Sequence, residues 1–208
     1  MNSYNQHLTN TTQMKKILLA SFFALMSGSL SAQQMSKEDQ IKSAVLAAPA
    51  AVRDGAHVYG FNEKGEMITL RKGTNNFIVR ADDPNSPGFE VVSYPIDVEP
   101  FMARGRALRA EGKNRGEILQ IREDEMKNGS LQKPNYGSTL AIYYGENARY
   151  NPETNSLEGG QFRYVIYTPL ATAESTGLPI SPNGKGHPWV MFPGLYRAHI
   201  MITPPGEN

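Results

Sequence analysis

The chain has 208 residues, with 21 Lys and Arg against 20 Asp and Glu, and it contains no cysteine. A net charge of +1 provides no global field for nucleic acid or an anionic membrane. Without cysteine there is no disulfide, thiolate metal site, cysteine nucleophile or lipidated cysteine behind a leader, so the fold must rest on its core, and the length suits one domain better than two.

Met14–Ala32, MKKILLASFFALMSGSLSA, has the build of a secretory signal peptide. Lys15 and Lys16 precede an apolar stretch from Ile17 to Met26 that only Ser21 interrupts, and small or turn-prone residues follow from Ser27 to Ala32. The run is too short to span a bilayer. A buried apolar helix is the plain alternative, but charge, apolar run and small-residue exit come in the order a signal requires. Cleavage is expected after Ser31 or Ala32, with Met14 a second candidate start and residues 1–13 an extension. Residues 33–208 then form a single globular domain. Without Lys15 and Lys16 the balance tips to one net negative charge. The expectation is a periplasmic or secreted protein that contacts neither nucleic acid nor, after cleavage, a membrane.

Ser36-Lys-Glu-Asp39 has a capping-box pattern, and Ile41, Ala44, Val45 and Ala48 follow at helical spacing until Pro49. His57–Phe61 and Met67–Arg71 read as strands joined by Asn62-Glu-Lys-Gly65, with Gly65 in the left-handed region. Phe77–Arg80 is a third strand, and Asp82–Gly88 is dense in turn formers. A helix capped by Asp97 places Val98, Phe101, Met102, Gly105 and Leu108 on one face and ends at Gly112. Asn114-Arg-Gly-Glu117 opens another, with Ile118, Leu119, Ile121 and Met126 on its apolar side and Gly129 at its exit. Thr139–Tyr144 and Phe162–Thr168, rich in β-branched and aromatic residues, are late strands flanking a polar loop at Asn151–Gly160. Ala171–Gly177 suits one helical turn, Pro179–Pro188 a loop, and Arg197–Thr203 a closing strand stopped by Pro204-Pro205. Strands, helices, then strands is an α+β order. The expected fold is α+β, a largely antiparallel sheet with two or three helices packed on one side.

Arginine placement supplies the first candidate site. Arg109 falls inside the apolar face of the Asp97 helix, flanked by Arg104 and Arg106. A guanidinium enters a packed face to meet a carboxylate, a carbonyl or a ligand anion. Arg109 is therefore expected to be at least half buried against Glu99, Glu125 or an acid from a strand, unless it caps the helix carbonyls or snorkels. Arg122 and Glu125, three apart, can pair. An ion-pair network is the plain interpretation, and an acid-binding cleft lined by Arg104, Arg109 and Arg122 is the sharper one.

The C-terminal region holds His187, Trp189 and His199. His187-Pro188-Trp189 ends a Gly/Pro loop of the kind that borders sites. His187 and His199 have no zinc spacing, and joining them with His57 has no support in the pattern, so no metal is expected. Ser175 lacks the nucleophile-elbow context, and Gly159-Gly160 has no phosphate-loop surround, so no cofactor is expected. Tyr143, Tyr144, Tyr150, Tyr164, Tyr167 and Tyr196 could stack on a sugar or aromatic ligand, or simply pack the late strands.

Three stretches resemble a family of uncharacterised exported bacterial proteins. They are Glu99-Pro-Phe-Met-Ala-Arg-Gly-Arg106 with Leu108-Arg109, Thr172-Ala-Glu-Ser-Thr-Gly-Leu-Pro179, and Pro188-Trp-Val-Met-Phe-Pro-Gly194 followed by Ala198-His-Ile-Met-Ile202. The resemblance runs from about Ser43 onward and implies export and a shared fold, but no reaction. Lacking a recognisable nucleophile, metal set or cofactor loop, the chain reads as a non-catalytic binding or interaction protein whose partner is a small molecule or a protein. The alternative is a small hydrolase using His187 or His199 with Ser175 or a carboxylate.

Overall fold

The computed structural model describes residues 35–205, and the expected signal segment lies outside them. Helix α1 (Lys37–Val45) begins at Ser36, whose hydroxyl oxygen accepts the Asp39 amide at 3.0 Å. Strands β1 (His57–Phe61) and β2 (Met67–Arg71) form the expected hairpin, turning through Gly65 at φ 74°. After β3 (Phe77–Arg80) comes β4 (Phe89–Pro95), a strand where the sequence offers no clear period. A single 3-10 turn at Ile96–Val98 leads into α2 (Glu99–Ala110). Asp97 does not cap α2; its carboxylate instead accepts the Ser138 hydroxyl. Helix α3 (Arg115–Asn128) has a full capping box between Asn114 and Glu117 and a left-handed Gly129 at its exit.

Strand β5 (Thr139–Gly145) follows, then β6 (Arg149–Asn151) and β7 (Ser156–Glu158), then β8 (Gln161–Tyr167). The polar loop expected at Asn151–Gly160 is thus largely the turn and second strand of a small hairpin, too short for periodicity to reveal. The short helix α4 (Ala173–Thr176) is closed by a reciprocal Thr172–Ser175 box. Strands β9 (Trp189–Met191) and β10 (His199–Ile202) complete the sheet. Its order is β2-β1-β3-β4-β5-β8-β10-β9, antiparallel except for the β1/β3 pair. The class is α+β with a largely antiparallel sheet. Among the described residues no helix is long and apolar enough to cross a membrane.

Strand alternation divides the core between the two faces of the sheet. Ile78, Val92, Tyr94, Leu140, Val165, Tyr167 and Met201 pack with Val98 and Phe101 of the α2 segment and Met126 of α3. Their neighbours Val79 and Val91 point the other way, toward Ala44, Ala47 and Ala48 of the α1 segment. The two long helices therefore share one face, and α1 covers the opposite face over the first four strands. Ser93, in the middle of β4, donates its hydroxyl to the Ala47 carbonyl at 2.8 Å and so pins that helix end to the sheet.

Candidate functional site

The arginines of the helix pair are held by acids, carbonyls and rings, though not in the expected pairs. Arg104 grips Glu125 side-on, with Nε and Nη2 donating at 2.7–3.0 Å, and it reaches Glu111 at 3.3 Å. Glu99 takes Arg106 at 2.5 Å, the Tyr94 hydroxyl at 2.8 Å and the Tyr59 hydroxyl at 3.2 Å. Burial, reinforced by the Glu99 charge, pushes the Tyr94 phenol well above its usual value. Arg109 is exposed and pairs with no acid among the described residues, so its expected burial is corrected. A last-turn side chain on a long stem can leave the face that its wheel position assigns it.

The guanidinium that does enter the packed face is Arg122. It lies 3.9 Å from the centre of the Phe101 ring and donates Nη1 to the Phe101 carbonyl at 3.0 Å. Gly105 makes this approach feasible, because a Cβ there would stand 2.8 Å from Arg122 Nη1. Burial draws the Arg122 pKa down to about 10, and its Nε has no hydrogen-bond partner. Glu123, which the apolar pattern of α3 does not single out, is the buried acid of the pair. It accepts the Tyr196 amide at 2.7 Å and Arg197 at 3.0 Å, with both charged side chains only 11% exposed. These groups tie α3 to the segment entering β10 and form an ion-pair and ring network, in which Arg104 is taken up by Glu125 and Arg122 by the Phe101 ring and carbonyl.

The histidines are scattered. His199 is buried, edge-on to Tyr167 and Phe192, with Nδ1 donating to the Arg197 carbonyl at 2.9 Å. Burial lowers its pKa below the usual 6.5. His57 sits beside Tyr59 at the start of β1. Ser175 is engaged by its cap, accepting the Thr172 amide at 2.9 Å and donating to the Thr172 carbonyl. Neither His187 nor His199 hydrogen-bonds to Ser175 or to a described acid. No group of three or more metal-ligating residues is found among the described residues.

His187 and Trp189 do lie on the wall of a cleft of about 320 Å3. The loop 179–188 folds back against β10, with the Gly186 amide donating to the Thr203 carbonyl at 3.1 Å and the Val190 amide to the Pro179 carbonyl at 2.8 Å. Between loop and sheet the cleft gathers Arg163, Lys185, His187 and Trp189, with Met191, Met201 and Pro205 as apolar wall. No Asp or Glu lines it. Arg163 projects from β8 on the same face as Val165. Its guanidinium stacks 4.4 Å from the Tyr144 ring centre, donates Nη2 to the Tyr144 hydroxyl and reaches Thr203 Oγ1 at 3.4 Å. Gln161 also donates to the Tyr144 hydroxyl, at 2.9 Å. Arg163 and Lys185 escape the sequence reading because one sits in a strand and the other in a loop, with no motif joining them. Tyr144, among the tyrosines read as stacking candidates, stacks on Arg163.

A larger groove of about 580 Å3 lies beside the end of α1, lined by Ala47, Ala141, Tyr164, Ile166 and Ile202. Two of its polar side chains are taken up within its own wall. Arg53 donates to the Leu46 and Ala48 carbonyls, and Ser93 donates to that of Ala47. The loop cleft is therefore the place where polar groups converge on open space, as ligand sites do. No protein family, curated protein or solved structure matches the chain.

Proposed function

We propose that this is an exported, non-catalytic binding protein and that its ligand sits in the cleft between loop 179–188 and strands β8, β9 and β10. The observation that carries this reading is the convergence of Arg163, Lys185, His187 and Trp189 on one open cavity with no nucleophile–base pair beside it. Binding needs convergent polar groups on an apolar wall, whereas hydrolysis also needs a base within reach of a nucleophile or water. The hydrolase alternative finds no such geometry, since Ser175 closes a helix cap and His199 is edge-on to two core rings. Export is supported by the order of charge, apolar run and small residues in Met14–Ala32, and the resemblance of the three motifs to exported bacterial proteins points the same way.

Two measurements test this. A fusion of residues 14–34 to a reporter active only outside the cytoplasm should give signal, and deletion of residues 15–26 should abolish it. The protein purified from the extracytoplasmic fraction should release, on denaturation, a small molecule that it returns chemically unchanged after prolonged incubation. Conversion of that molecule would replace the binding reading with the enzymatic one, and an uncleaved cytoplasmic precursor would overturn export.

A further inference from the structure

From the charges and walls of this cleft we infer the chemical class of its ligand: a small aromatic monocarboxylate, its carboxylate on Arg163 and its ring against Trp189. The inference rests on the binding reading above and narrows it. Three observations bear on it. The first is the state of Arg163. It is half buried, yet it pairs with no acid among the described residues, whereas Arg104, Arg106 and Arg197 each pair with one. Tyr144 and Thr203 hold its Nη2 and Nε, and Nη1 donates to no described residue. A planar guanidinium fixed by its own neighbours is pre-organised for a carboxylate, so little entropy is lost when the acid arrives.

The second is sign. Arg163 and Lys185 bring two permanent positive charges, His187 adds a titratable group, and no carboxylate lines the cavity to offset them. A cleft of one sign with low-dielectric walls concentrates the opposite charge. The overall balance of the chain is near neutral, so this local excess is a property of the cleft and not of the molecule. The third is shape. The apolar part of the wall includes Trp189, Met191, Met201 and Pro205, and the volume of about 320 Å3 lies at the small end of the range for ligand sites. A bare inorganic anion would leave that wall in water. A ring carrying one acid group fills both parts.

Trp189 is the only tryptophan of the chain, so its emission reports directly on the cleft. The test is a fluorescence titration of the intact protein with benzoate, with its neutral isostere benzyl alcohol, and with inorganic phosphate. Benzoate should shift Trp189 emission saturably and bind more weakly as salt rises. Benzyl alcohol should bind at least roughly tenfold more weakly, and Arg163→Met should lose at least roughly tenfold in benzoate affinity with Arg163→Lys between the two. Each variant is first checked for a parental melting curve. Should Arg163→Met fail that check, Tyr144→Phe replaces it; this variant keeps the ring and removes the hydroxyl that aims Arg163, and it should weaken benzoate several-fold. Benzyl alcohol binding as tightly as benzoate overturns the charge assignment while leaving a binding cleft in place. Phosphate binding more tightly than benzoate overturns the aromatic assignment in favour of a plain anion subsite. No response of Trp189 to any of the three overturns the inference outright, and the fate of the co-purified molecule then decides the binding reading separately.

Discussion

The helix pair and the loop cleft use arginine in opposite ways. At the helix pair, Arg104 and Arg106 of α2 and Arg197 of the turn before β10 each close on a carboxylate, and Arg122 lies on the Phe101 ring with a backbone carbonyl in reach. In the cleft, Arg163 is braced by a phenol and a hydroxyl, with no acid beside it. The first arrangement meets each cation with a carboxylate or, for Arg122, with a ring face and a carbonyl. The second holds a cation in place and leaves its charge for something else. What sets Arg163 apart is that it is neither closed on a carboxylate, as Arg104, Arg106 and Arg197 are, nor packed on a core ring against a backbone carbonyl, as Arg122 is, but faces an open cleft.

The sharpest way to break that contrast is to remove an acid from the network. Glu123→Ala strands Arg197 and the Tyr196 amide in a buried setting, and chemical denaturation should show a loss of about 3 kcal/mol. A cost no greater than that of an exposed pair would mean that the network is slack. Arg122 should behave differently, because it has no carboxylate partner to strand and already carries an unpaired Nε. Arg122→Met should stay within about 1 kcal/mol of the parent, as apolar groups often replace buried ionic ones without loss. Arg163→Met should leave the melting temperature close to parental while the cleft loses its anion preference. A collapse of stability there would move Arg163 into the structural class.

Two smaller effects follow. His199 is held neutral by burial, so its folded pKa lies below the unfolded value of about 6.5. The stability this contributes is complete above that value and is lost as pH falls through the folded pKa. The melting temperature of the parent should therefore drop below about pH 6.5 more steeply than that of His199→Gln, and parallel curves would show that other groups carry the acid limb. Arg109→Ala should produce no resolvable change, since its side chain is exposed and unpaired among the described residues.

Local signals in the sequence were reliable where local physics decides the structure. The Asn114–Glu117 box, the Gly65 turn and the Gly129 exit all depend on a few neighbouring residues, and each stands where the chain predicts it. Strand β4 was hidden because it is central. Glu90 is the only exposed residue between Phe89 and Tyr94, so no period of two survives in the sequence. The site was less legible still. His187 and Trp189 could be flagged from the loop they end, but Arg163 comes from a strand earlier in the chain and acquires its role only through pairing across the sheet. Arg109 misled because a wheel assigns direction to the Cα–Cβ bond, while a long side chain places its charge several bonds farther out.

Strand β10 follows both β8 and β9 in the chain yet lies between them in the sheet. Until it arrives, β9 has no strand to pair with. In a polypeptide that emerges amino end first, the helices and the early hairpin can assemble while the cleft is still only half built. Its wall of Met201, Thr203, Pro204 and Pro205 follows every other lining residue in the chain. The order of strands thus makes the proposed ligand site wait on the pairing of β10 with β8, the step that also brings Met201 into the core.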